Sequence, residues 1–241
     1  MTTYLITGAS SGIGEALSCL ICAKGDTVFG IARRKEVLDN MAVELGERFI
    51  PFVCDVTDKE AVRSVCANLP QLPDVVILNA GVGIYDKPDR PDVTVHEQTF
   101  AVNYFGVLNW IDALYPRFAE RKSGAFVATS SLAGYRGLPL GCAYSASKGA
   151  ISNAMEAFRL TYQKDGVEFI NVHPGFIDTP MTRKQTNPMP LKWPVEKAAR
   201  AILRGIEKRK LNINFPWPIW LALTITRLFP PRFYRRVMSL Q

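Results

Sequence analysis

The chain has 241 residues, 48 % of them hydrophobic, and a formal net charge of +7. That length and apolar content suit one α/β domain with a large core and exclude a disordered chain. The positive balance fits a basic solvated surface, a phosphate-bearing ligand or an anionic membrane surface. With no basic run interleaved with aromatics, it argues against a nucleic-acid partner.

Short apolar or β-branched runs at 4–7, 27–32, 49–53, 75–78, 124–129, 168–172 and 211–215 predict seven strands, most of them separated by helical spacing. Near-continuous apolar strands alternating with helices predict a doubly wound parallel sheet, a Rossmann-like α/β fold covered on both faces. The expected organisation is one domain over 1–215 followed by an apolar and basic tail over 216–241. A strand starting at Tyr4 leaves no room for a signal peptide before it. No apolar stretch comfortably reaches the ~20 residues of a spanning helix. Five cysteines, an odd count, point to a reducing compartment, and the cytoplasm is the expected location. Cys19 and Cys22 form a CxxC inside a predicted helix, away from the helix start that would stabilise a thiolate. Cys54, Cys66 and Cys142 supply no second pair at zinc-ligand spacing, so no metal is expected.

The first predicted strand runs into TGASSGIG at 7–14, and the glycine spacing Gly8, Gly12, Gly14 suits a turn that brings backbone close to a pyrophosphate. The following helix would offer free N–H groups and a positive dipole end, with Ser10, Ser11 and Ile13 around it. The same letters match GxSxG, a hydrolase nucleophile elbow. That reading needs Ser10 followed by an acid and a histidine, and His96 and His173 are the only histidines. The second strand ends at Ala32-Arg33-Arg34, where an NAD site wants a carboxylate for the ribose 2′-hydroxyl. Two guanidiniums there suit a 2′-phosphate, so NADP(H) is expected over NAD(H). Asp55 and Val56 end the third strand, where Asp55 suits an adenine amino group or a helix cap. Asn79, Ala80 and Gly81 end the fourth strand, where ligands sit in open α/β sheets, although Asn79 also suits neighbouring backbone.

In YSASK at 144–148, Tyr144 and Lys148 are four apart and share a helix face. A phenol of ordinary pKa near ~10 is a poor base, and a nearby ammonium is expected to lower it. Ser131 closes the fifth strand and suits an oxyanion partner. Asn103, on the preceding predicted helix, suits an amide that holds a water relaying protons to Lys148.

Taken together, TGASSGIG, CDV at 54–56, NAG at 79–81, VNYFG at 102–106, SS at 130–131, YSASK and HPGFIDT at 173–179 resemble the short-chain dehydrogenase/reductases over residues 3–215. The resemblance implies a catalytic tetrad of Asn103, Ser131, Tyr144 and Lys148. It implies a nicotinamide-holding segment with Pro174, Gly175, Ile177 and Thr179. It implies nucleotide contacts at Gly8, Ser10, Ile13, Asp55, Asn79 and Gly81, with Tyr144 and Lys148 also touching the cofactor. Arg33 matches a position that often marks NADP preference, whereas the usual basic residue before the second glycine is replaced by Ser11.

The expected activity is hydride transfer between NADP(H) and a carbonyl or secondary alcohol, with Tyr144 as general acid and base. Apolar residues at 132–143 (Leu132, Leu138, Leu140) and at 176–192 (Phe176, Met181, Met189, Leu191, beside Arg183 and Lys184) suggest an apolar or lipid-like substrate. The rival readings are a silent NADP-binding sensor or scaffold and a hydride-borrowing epimerase or dehydratase. The tail, with Trp217, Trp220 and Arg232-Phe233-Tyr234-Arg235-Arg236, suits peripheral membrane contact through 216–236, packing on the substrate pocket, or a homo-oligomer interface.

Overall fold

The fold is described by a computed structural model covering residues 1–86, 88–183 and 189–238, without the side chains of Phe233, Val237 and Met238. Seven parallel strands form one sheet in the order β3-β2-β1-β4-β5-β6-β7. They are β1 (Thr3–Thr7), β2 (Thr27–Ala32), β3 (Phe49–Val53), β4 (Val75–Leu78), β5 (Ala125–Thr129), β6 (Glu168–Pro174) and β7 (Asn212–Phe215). The strand order reverses at β1, which pairs with β2 on one side and β4 on the other, and this opens a crevice at the C-terminal edge between β1 and β4.

The helices are α1 (Gly12–Ala23), α2 (Lys35–Leu45), α3 (Lys59–Ala67), α4 (Val93–Phe100), α5 (Gly106–Arg121), α6 (Cys142–Thr161), α7 (Pro180–Arg183), α8 (Val195–Glu207), α9 (Trp217–Thr226) and α10 (Pro231–Met238). Side-chain alternation along the strands divides the core. Ile6, Ile77, Val127 and Val172 meet Leu17, Ile21, Ile202 and Ile206 on one face. Leu5, Val76, Phe126 and Phe169 meet Trp110, Leu114, Phe118 and Met155 on the other. Both faces are buried, which is why the strands read as continuous apolar runs rather than alternating ones.

Four strand ends differ from the sequence expectation, those of β1 (starting at Thr3) and β7 (starting at Asn212) by one residue each, and those of β5 and β6. β6 continues through His173 and Pro174, because these pair with Asn214 and Phe215 of β7. β5 begins at Ala125, since Gly124 has φ +129 and sits outside the extended range. Asn103 also lies in a different local geometry, in a π turn (Ala101–Phe105) between α4 and α5. Such widened turns recur at functional sites.

Candidate active site

The glycine turn is shaped by close approach. Gly12 has φ +58, and a Cβ on Gly14 would stand 2.2 Å from the Gly8 oxygen and 2.8 Å from Asn79 Nδ2. Only glycine allows α1 to start directly against the end of β1 and beside β4. Thr7 Oγ1 accepts from the Asn79 and Ala80 N–H groups at 2.9 and 3.1 Å, and Asn79 Nδ2 donates to the Thr7 oxygen at 3.2 Å. Ser11 is the N-cap of α1 without a side-chain cap bond, so the first-turn N–H groups are left for other acceptors.

These elements border a cleft of ≈ 180 Å³. Gly8, Ser11, Gly12 and Ile13 line it, together with Asn79, Ala80 and Gly81. Ser131, Tyr144 and Lys148 also line it, as do Pro174, Gly175, Ile177 and Thr179, and a Cβ on Gly12 would stand 3.2 Å from Thr179 Cγ2. The structure therefore brings together residues from the ends of four strands, β1, β4, β5 and β6, with Tyr144 and Lys148 of α6. Ser10, Gly14, Arg33, Arg34, Asp55 and Val56 do not line this cleft.

The two arginines are not equivalent. Arg34 donates to the Ser10 oxygen at 2.7 Å and to Ser10 Oγ at 3.0 Å, bracing the glycine turn. Arg33 is 70 % exposed and only approaches Asp55, at 3.5 Å. Burial pushes the Asp55 carboxyl up, but hydrogen bonds from Thr57 and the Arg33 charge outweigh it and hold it below the ordinary range. Val56 packs its side chain where a Cβ on Gly106 would fall, and its carbonyl accepts from Asn109 at 2.9 Å.

Tyr144 is half-buried in the first turn of α6, with Lys148 one turn on. The Lys148 Nζ lies 5.8 Å from the Tyr144 ring centre and donates to the Thr129 oxygen at 2.7 Å. Burial lowers the lysine to about 8. Contrary to the expectation from their spacing, Lys148 does not lower the Tyr144 pKa, which stands above its ordinary value. Burial raises the phenol, its hydrogen bond with Ser131 pulls it down, and Tyr85 raises it again. At 5.8 Å, with its charge turned to Thr129, the ammonium does not reverse the desolvation. Ser131 caps a 3₁₀ turn (Leu132–Gly134) by accepting from Ala133 N–H at 3.1 Å.

Asn103 is fully buried, and its amide is occupied. Its Oδ1 accepts from Val82 N–H at 2.8 Å, and its Nδ2 donates to the Val82 oxygen at 3.0 Å and Ser147 Oγ at 3.1 Å. The amide thus fastens the loop after β4 to α6 instead of presenting a group for a relay water. A Cβ on Gly81 would meet Asn103 Oδ1 and Lys148 Nζ at 3.1 and 3.4 Å.

Several contributors escaped the sequence reading. Ser130 Oγ donates to the Lys148 oxygen at 2.7 Å, and Ser152 Oγ joins it while meeting His173 Nε2 at 3.0 Å. Burial lowers His173 to about 4, which keeps it neutral. Asp86 bonds the loop after β4 to the start of α6. Its N–H donates to the Leu140 oxygen at 3.0 Å, and its carboxylate accepts from Ala143 N–H at 3.3 Å. His96 Nε2 stands 3.3 Å from the same carboxylate. Asp86, His96 and Ala143 are far apart in sequence, so no local pattern announces them.

The segment after β6 is closed at its base. Asp178 N–H donates to the Trp193 oxygen and Trp193 N–H to the Phe176 oxygen, both at 2.9 Å. Arg183 and Lys192 both reach Asp178 Oδ1 at 3.0 Å and hold its carboxyl down at about 2. Of the apolar candidates, Leu132 is buried, Met181 borders the cleft, and Leu140 and Leu191 are exposed. Lys184 lies outside the described residues. The five cysteines are free, with Cys19 exposed and Cys22 buried on α1.

The family model for short chain dehydrogenase matches residues 2–190. An uncharacterized oxidoreductase of Myxococcus xanthus is 33% identical over 235 residues, covering 95% of this chain and 92% of the relative. A solved short-chain dehydrogenase from Streptomyces avermitilis has a TM-score of 0.84 and 28% identity, covering 99% of this chain and 95% of that one. Another, from Burkholderia cenocepacia and in complex with NADP, has a TM-score of 0.84 and 26% identity, covering 98% of this chain and 97% of that one.

Proposed function

The chain belongs to the short-chain dehydrogenase family, and we propose that it passes hydride between NADP(H) and a carbonyl or secondary alcohol, with Tyr144 as general acid and base. The observation that carries this reading is the convergence of Tyr144, Ser131 and Lys148 on a cleft that also contains the glycine turn. The dinucleotide fits this chain, since the cradle at Gly8 and Gly14 has no room for a Cβ and the first turn of α1 is uncapped by a side chain. Arg33 would face the 2′-phosphate, Lys148 the ribose hydroxyls, and Pro174 to Thr179 the nicotinamide amide.

When bound, the nicotinamide supplies or accepts the hydride. The remaining chemistry belongs to side chains. Ser131 Oγ orients the substrate oxygen and stabilises negative charge developing on it. The Tyr144 hydroxyl delivers a proton to that oxygen in reduction and takes it back in oxidation. Because burial raises the phenol, Tyr144 holds its proton at neutral pH, which suits carbonyl reduction. Buried Lys148 keeps a positive charge beside the phenolate that remains after proton transfer. Asn103 acts as a positioning residue by tying Val82 to α6. Met181 and the neighbouring Gly83 make the substrate mouth apolar, which favours an apolar or lipid-like carbonyl compound. Five free thiols suit a cytoplasmic setting.

Tyr144→Phe tests the reading, because it keeps the ring and removes the proton. Turnover of a carbonyl panel with NADPH should fall by about 10²–10⁴-fold, with NADPH affinity unchanged. Unaltered turnover would sink the assignment of Tyr144. Tighter binding of NADH than NADPH by the unaltered chain would sink the cofactor assignment separately.

A further inference from the structure

Along the sequence, the whole net charge falls after Glu207; in the fold, Lys208–Lys210 precede β7 and the other four arginines follow it. All 22 acidic residues lie at or before Glu207, where 22 of the 29 basic residues match them in number. The other seven, in the run 208–210 and at Arg227, Arg232, Arg235 and Arg236, account for the whole balance of +7. Within that stretch sits α9, ten residues without a charged side chain. A helix that is apolar all round is ordinarily buried. This one is not.

Its inward side is fastened by polar contacts to the loop that follows Ser131. Trp220 Nε1 donates to Tyr135 Oη at 3.1 Å, and Arg136 Nη2 donates to the Thr226 oxygen at 2.9 Å. Arg136 also stacks on the Tyr234 ring of α10 at 4.3 Å, and Tyr234 Oη donates to the Gly137 oxygen at 2.8 Å. These bonds fix which side of α9 turns outward. The outward residues are Trp217, Leu221, Ile225 and then Leu228, at helical spacing, with exposures of 68, 41, 43 and 84%. Arg232, Arg235 and Arg236 follow on one face of α10, also exposed.

We propose that the outer face of α9 and α10 is a docking surface for an anionic lipid bilayer. An apolar stripe with tryptophan at one end and arginines at the other matches the layered chemistry of a membrane interface, tails below and anionic headgroups above. Ten residues rise only ~15 Å, so α9 lies in the interface rather than crossing it. A second copy is the poorer occupant. Two-fold pairing would set this surface against itself, adding the cations of both copies to one interface while neither α9 nor α10 supplies an acidic side chain to answer them. The docking does not depend on the oxidoreductase reading.

The test is co-sedimentation of the full chain with vesicles of phosphatidylcholine alone or mixed with phosphatidylserine. The chain should pellet with the mixed vesicles, poorly with phosphatidylcholine alone, and less as salt rises. Arg232→Gln with Arg235→Gln should weaken binding about 30-fold, from roughly fivefold per charge. Leu221→Gln with Leu228→Gln should weaken it by about tenfold or more, with thermal unfolding unchanged because both leucines face outward. Quenching of tryptophan fluorescence by brominated phosphatidylserine vesicles reads the same contact in the unaltered chain. Absence of both pelleting and quenching overturns the proposal. So does pelleting that neither double variant weakens. A dimer that Leu221→Gln with Leu228→Gln dissociates, without vesicle binding in the parent, would assign the face to a second copy instead.

Discussion

Replacing the buried lysine of the site should make the protein more stable while disabling it. Lys148 is 4% exposed and its pKa falls from 10.5 to about 8, so folding holds its charged form against desolvation. The gap corresponds to roughly 3 kcal/mol at ~1.4 kcal/mol per pH unit. Lys148→Met fills similar space without a charge. It also removes the donor to the Thr129 oxygen, a loss of about 1 kcal/mol. The net expectation at pH 7 is a gain of about 2 kcal/mol, or roughly 4–8 °C in Tm for a domain this size. The sign depends on pH. Between about 8 and 10.5 the unfolded chain holds the lysine proton and the folded chain does not, so parent stability rises with pH across that window. The penalty is complete below about 8 and absent above 10.5. The variant should therefore lead at pH 7, lose its lead as pH climbs, and fall about 1 kcal/mol behind once the parent lysine is neutral in both states. Thermal unfolding of both proteins by circular dichroism from pH 6 upward reads this directly. A variant less stable than the parent at pH 7, or a difference that stays constant with pH, would refute the desolvation argument.

Other expectations follow from single contacts. Arg33→Ala should weaken NADPH about tenfold, the low end for a charge-assisted bond from an exposed side chain, and leave NADH unchanged. Arg34→Ala frees Ser10 and should weaken both nucleotides; fluorescence titration separates the two patterns. Gly14→Ala forces a Cβ onto the Gly8 oxygen, so it should lose about 1–3 kcal/mol of stability with nucleotide affinity, measured by urea unfolding and titration. Gly137→Ala, where a Cβ meets nothing within 4 Å, should stay within about 0.5 kcal/mol. Asp86→Ala removes the acceptor for Ala143 N–H and should lower stability by about 1 kcal/mol. Turnover should fall while nucleotide affinity holds, and Asp86→Asn, which keeps an acceptor oxygen, should recover much of it.

The sheet was legible in the sequence because strands buried on both faces leave unbroken apolar runs. The errors sit where the tertiary partner decides. Proline usually closes a strand, yet Pro174 stays in β6 because Phe215 lies opposite. The Tyr144–Lys148 spacing was equally readable, since it needs only one helical turn. What the spacing cannot carry is where the lysine charge points, and the Thr129 oxygen that draws it away lies 19 residues upstream. The same limit explains Asn103, whose partners Val82 and Ser147 come from two other elements. Arg33 and Arg34 are adjacent letters with different surroundings, one largely in solvent and one folded under the glycine turn. Asp86, His96 and Ala143 meet only through the fold, so their clasp is invisible along the chain.

The strand order also bears on how the molecule is made. A ribosome releases β1 first, and every later strand then finds an edge already waiting. β2 adds beside β1 and β3 beside β2; β4 then takes the other flank of β1, and β5, β6 and β7 extend it one by one. No strand has to be inserted between two that are already paired. The sheet can grow by accretion during synthesis, with a single change of side, and the half that carries the glycine turn is assembled before the strands leading to Ser131 and Pro174 emerge. The two borders left when growth stops are guarded differently. β3 carries Pro51, which offers no N–H to a passing strand, while β7 runs directly into α9.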